Sequence, residues 1–122
     1  MTQLTAQDIQ ALSRQLHAMK QSAQGEIRLA NDDLRTARQA GASEVHNFSD
    51  DAETLQAQNV RVEEIEIDQT RLAEIEFAEK LIAEGRYGKC IDCGCDIALQ
   101  RLTAMPTAVR CAACQTAAEQ SL

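Results

Sequence analysis

Four cysteines, Cys90, Cys93, Cys111 and Cys114, follow one another as C-x₂-C-x₁₇-C-x₂-C. Each pair can offer two thiolates to one ion, and the loop between the pairs lets the second complete a tetrahedron. That is the ligand set and the spacing of a structural Zn²⁺ site, binding one ion. Four thiolates fill the coordination shell and leave no open position for Lewis-acid chemistry. Cys95, two residues beyond Cys93, reads as a bystander. A thiol beside a metal site also has a redox reading, in which it attacks or replaces a ligand on oxidation. Little else in the chain suggests catalysis. Its two histidines, His17 and His46, are far apart in sequence, and no Gly-rich phosphate loop, nucleophile elbow or HExxH occurs. His17 adjoins a helical seam and reads as structural, while His46 could touch a partner. The chain reads as a non-enzyme.

The elements that must carry this cluster are helical. The 122 residues include no Trp, one Tyr and two Phe, so a wide aromatic core is excluded and a narrow aliphatic seam is favoured. From about residue 5 to 40, Ile9, Leu12, Leu16, Met19, Ala23, Ile27, Ala30, Leu34 and Ala37 recur in steps of three and four, which keeps them on one helix face. Thr5 and Asp8 resemble a capping box. A second arm, about 50 to 84, has Leu55, Val62, Ile65, Leu72, Ile75 and Ile82 as its stripe, with Gln58 or Asn59 and Gln69 on or beside it. Val60, Ile67 and Phe77 broaden its apolar surface. Gly85 suits the C′ position that ends the arm. The predicted fold is mainly α: a long antiparallel two-helix coiled coil over 1–84, and a small C-terminal Cys₄ zinc finger with a short C-terminal helix over 85–122. The hairpin would be roughly 50 Å long, with its tip at about 41–52.

Charge narrows the partners. The net charge of −7 is concentrated in residues 44–79, where eleven carboxylates face only Arg61 and Arg71. A phosphate backbone would select the opposite sign, so sequence-specific DNA binding is not expected; a basic protein surface or channel fits better. Asp50, Asp51 and Glu53 lie where the tip enters arm two. There Ser49 or Asp50 could cap the helix with Glu53 closing a box, or the carboxylates could be presented to a partner, and the two readings are compatible. The opening residues do not read as a signal peptide, and no apolar run is long enough to cross a bilayer. The expectation is a cytoplasmic monomer without membrane contact, in which reduced thiols favour metal over disulfides.

The segment Tyr87-Gly88-Lys89-Cys90-Ile91-Asp92-Cys93-Gly94, with Ile97, Arg101 to Ala108 and Cys111-Ala112-Ala113-Cys114-Gln115, resembles the zinc-finger region of the DksA/TraR family. Asn47-Phe48-Ser49-Asp50 resembles that family's tip sequence Asn-Phe-Pro-Asp. The resemblance implies a transcription factor that binds bacterial RNA polymerase, inserting its coiled coil into the secondary channel with the acidic tip toward the active centre. The family's tip motif Asp-x-x-Asp-x-Ala is altered here: Asp50 is kept, Glu53 lengthens the second acid, and Leu55 replaces the small Ala. Two basic residues that line the ppGpp site in the DksA branch correspond to Met105 and Gln115, which implies weak or absent ppGpp dependence, as in the TraR branch. The alternative from the residues alone is a zinc-stabilised adaptor that binds another protein through its coiled coil.

Overall fold

The computed structural model describes residues 4–43 and 48–120, with the side chains of 40–43 and 48–51 left undescribed. The order is α1 (Ala6–Ser43), α2 (Phe48–Ala83), α3 (Leu99–Ala104) and α4 (Ala112–Gln120). No strand occurs among the described residues; one antiparallel bridge joins Lys89 to Asp96. The start of α1 is fixed as its sequence implies. The Thr5 N–H donates to Asp8 Oδ2 at 3.0 Å and the Asp8 N–H donates to Thr5 Oγ1 at 3.0 Å, a reciprocal capping box with Asp in the third helical position. At the end of α2, the Arg86 N–H donates to the Leu81 carbonyl and the Gly85 N–H to that of Ile82. Gly85 has φ +73°. This is a Schellman stop, and glycine takes the left-handed position at no steric cost.

The chain divides into two compact units. Unit 1 comprises Met1–Lys20 and Ala73–Leu122, and unit 2 comprises Gln21–Leu72. In unit 1, Leu12 and Leu16 of α1 share a core with Ile75, Ala78 and Leu81 of α2 and with Tyr87, Cys90, Ile97, Leu102 and Ala108 of the cysteine module. Leu16, Ile75, Leu81, Ile97 and Leu102 are almost completely buried, and each such side chain contributes about 1.5–3 kcal/mol relative to exposure. Gly88, at φ +88°, lies against Leu4, whose Cδ1 would stand 2.7 Å from an added Cβ. Lys20 Nζ and Glu79 Oε1, 3.2 Å apart and half-buried, close one side.

Unit 2 is thinner. Its core is Ala30, Leu34 and Ile65, with Ile27 packed alongside. Positions rise along α1 as their partners fall along α2, so the helices pair antiparallel as a hairpin in both units. The α1 stripe is the one expected, half-buried or buried from Ile9 through Ala37. The α2 stripe differs. Leu55 is 60 % exposed, and Val62 and Gln69 are exposed as well, whereas Asp68 is buried. Val60, Ile67 and Phe77 stay exposed and widen no core. Apolar residues of α2 stand at 60, 62, 65 and 67 and mark no single face; packing against Ala30 and Leu34 of α1 decides which ones turn inward.

Candidate metal centre

Two turns hold the first cysteine pair. The Gly94 N–H donates to the Cys90 carbonyl at 3.0 Å, and the Cys93 N–H points at Cys90 Sγ from 3.5 Å. The second pair repeats this at the start of α4: the Gln115 N–H donates to the Cys111 carbonyl at 2.9 Å, and the Cys114 N–H points at Cys111 Sγ from 3.5 Å. In each turn a backbone N–H is directed at the first sulfur of the pair, an arrangement that favours thiolate over thiol. The Cys90 N–H donates to the Cys95 carbonyl and the Ile91 N–H to that of Val109, and the second bond ties one knuckle to the approach of the other.

The four sulfurs lie within 4.8 Å of one another, and Cys93 Sγ is 3.8 Å from Cys111 Sγ. A tetrahedron with Zn–S bonds of about 2.3 Å has edges of about 3.8 Å. The donor set therefore fits one structural Zn²⁺, with all four positions taken by sulfur. The cost of crowding thiols is visible in their protonation. The Cys93 N–H, directed at its sulfur, brings Cys90 down to about 6. Cys114 is raised, chiefly by its hydrogen bond with the Cys111 thiol. A cation among these sulfurs removes that conflict by making every one a thiolate. Cys95 is exposed and lies outside the cluster.

The loop between the pairs contains a helix that the sequence reading missed. Leu102 of α3 is fully buried. The Tyr87 hydroxyl donates to the Pro106 carbonyl at 2.7 Å, and burial pushes its pKa up to about 12. Arg101 Nε donates to the Arg110 carbonyl at 3.1 Å, and Arg110 Nε donates to Asp92 Oδ2 at 2.7 Å. The Gln15 amide of α1 reaches the Thr103 carbonyl at 3.2 Å. These bonds fix the x₁₇ loop, and with it the distance between the pairs. A Tyr immediately before Gly-Lys-Cys, and a Pro five residues before the second pair, were the available signals.

The tip residues divide. Glu53 is exposed on α2. Ser49 and Asp50 fall inside α2, so neither is its N-cap. The side chains of Asp50 and Asp51, together with residues 44–47 including His46, lie outside the described residues. No described helix is long and apolar enough to cross a membrane.

Residues 85–120 match the family described as the prokaryotic dksA/traR C4-type zinc finger. No curated protein matches the sequence significantly. Among solved structures, the chain is similar to "transcription factor DksA2 from Pseudomonas aeruginosa", with a TM-score of 0.81 and 23 % identity over 95 % of this chain and 86 % of that one. At that identity the likeness shows the fold: a helical hairpin joined to a cysteine module.

Proposed function

We propose that this chain, a DksA/TraR-family protein by its 85–120 zinc finger, regulates transcription by binding bacterial RNA polymerase through the secondary channel. The observation that carries the reading is the combination of that finger with an antiparallel hairpin in one fold, shared over 95 % of the chain with a structure named as a transcription factor. In this reading Cys90, Cys93, Cys111 and Cys114 hold one structural Zn²⁺, which secures the base of the hairpin. The protein contributes no reacting group. It acts by occupying the channel and presenting Asp50, Asp51 and Glu53 toward the active centre, where carboxylates alter the stability of open promoter complexes.

The carboxylate-rich middle third opposes direct DNA binding and suits a basic protein channel. Leu55 projects from α2 where the family motif has a small Ala, so the charge of the tip is kept while its shape changes. Met105 is half-exposed and Gln115 is bonded to Glu119 at 3.3 Å. Neither supplies a cation to a polyphosphate, and little ppGpp dependence follows.

Transcription from responsive promoters, with polymerase, zinc-loaded protein and ppGpp varied independently, tests this reading. We expect an effect of the protein that Glu53→Gln weakens and that ppGpp changes less than twofold. Strong ppGpp synergy would remove the second half of the proposal; no effect at any promoter would remove the first.

A further inference from the structure

One face of unit 2 has the make-up of a binding groove. A cavity of about 390 Å³ is lined by Leu29, Ala30 and Ile67 and edged by Glu26, Asp33, Glu64, Asp68 and Arg61. Leu29 and Ile67 are 67 % and 61 % exposed. Asp68 is the informative residue. It stands in the seam, three residues after buried Ile65, and only 7 % of it is exposed. Among the described residues its side chain has no hydrogen bond and no ion pair, and the one cation that lines the cavity is committed elsewhere: Arg61 pairs with Glu64 at 3.0 Å and with Asp33 at 3.5 Å. Among the described residues no fully enclosed side-chain oxygen lacks a partner, so the Asp68 carboxylate opens onto the groove that it lines.

A carboxylate that meets water only through the mouth of a groove, and has no partner there, is partly desolvated at some cost in the free protein. The groove around it is apolar at Leu29 and Ile67 and carries four carboxylates against one guanidinium. We propose that this groove receives an arginine-bearing segment of the polymerase, its guanidinium pairing with Asp68 and an adjacent apolar side chain packing on Leu29 and Ile67. Arginine suits the site better than lysine, because a planar, weakly hydrated fork matches a partly buried carboxylate. The unpaired Asp68 is then a stability cost carried for binding. A second copy of this chain is a poor occupant, since it would bring the same excess of carboxylates. The inference rests on the polymerase reading above and adds to it a contact on the hairpin body, apart from the acidic tip residues.

The test uses the full zinc-loaded chain and bacterial RNA polymerase. Affinity is measured for the wild type, Asp68→Asn and Asp68→Leu, with a photo-crosslinker placed at Leu29 and another at Glu53. We expect both variants to bind at least about tenfold more weakly, while crosslinks from Glu53 persist at saturating protein. Crosslinks from Leu29 should map to a polymerase segment containing arginine. Asp68→Leu should also melt above the wild type, since an apolar side chain replaces an unpaired and partly desolvated carboxylate. Unchanged affinity of both variants would overturn the groove and leave the channel reading standing. Lower melting together with weaker binding of Asp68→Leu would assign Asp68 a structural role and overturn the proposal. Self-association lost in an Ile67→Glu variant would make a second copy the occupant instead. Failure of the wild type to bind polymerase would defeat the channel reading, and the inference with it.

Discussion

Units 1 and 2 are built from the same two helices and solve different problems. Unit 1 surrounds its helix ends with the cysteine module, so that Leu16, Ile75, Leu81, Ile97 and Leu102 are removed from water almost completely. Among its described residues unit 2 buries Ala23 and a small cluster of Ala30, Leu34 and Ile65, and it leaves Leu29, Leu55, Val60 and Ile67 exposed. Stability is concentrated where the metal site is. The surface left over for contact is concentrated where the core is thin and the carboxylates are dense. A chain with one Tyr and two Phe cannot build a wide core along its whole length, and the zinc-secured end compensates.

The harshest way to break this contrast is to remove the metal. With a chelator, or in Cys93→Ser, unit 1 should lose cooperative unfolding and bound zinc together, because metal-binding free energy is folding free energy. Calorimetry with zinc quantification checks this, and an unchanged melting profile would mean the hairpin ends hold without the ion. Next in size are paired truncations. Leu16→Ala should cost about 3 kcal/mol, within the range for buried leucines. Leu34→Ala in the shallow core of unit 2 should cost about half as much, since neighbours there can relax into the gap. Equal losses in urea titrations would erase the difference between the units.

A pH experiment is subtler. The Tyr87 pKa is raised in the fold by burial to about 12, so the fold favours the protonated phenol. Its contribution is full below the ordinary tyrosine value of about 10 and is lost as pH rises toward 12. Tyr87→Phe should cost about 1 kcal/mol through the bond to Pro106 and flatten stability across that alkaline window. The smallest effect expected is at the start of α1, where Thr5→Ala should cost about 1 kcal/mol or less by removing one arm of the capping box. Amide exchange confined to the first turn would register it.

The metal cluster was legible because thiolate chemistry imposes sequence spacing directly: two x₂ turns and one loop specify the ligand set before any folding is considered. The α1 stripe was legible for a similar reason, since a single helical period runs from Ile9 to Ala37 without a competing face. α2 was harder to read. Its apolar residues at 60, 62, 65 and 67 surround much of the helix, and only packing against Ala30 and Leu34 turns Ile65 inward and leaves Ile67 in water. The burial of Asp68 was hidden by the same ambiguity, though its place in the 65, 68, 72, 75 spacing was a usable signal. α3 was missed because six residues are too few for periodicity to show. It exists because Leu102 and the Tyr87–Pro106 bond anchor it, and both are tertiary.

The central claim is that the hairpin of this protein enters the polymerase secondary channel with its tip toward the active centre. The most direct measurement is crosslinking from Glu53 of the zinc-loaded protein to bacterial RNA polymerase, with DksA as competitor. The account predicts crosslinks to segments beside the active centre that DksA abolishes. Absence of binding at micromolar protein, or crosslinks that DksA leaves untouched, would contradict it.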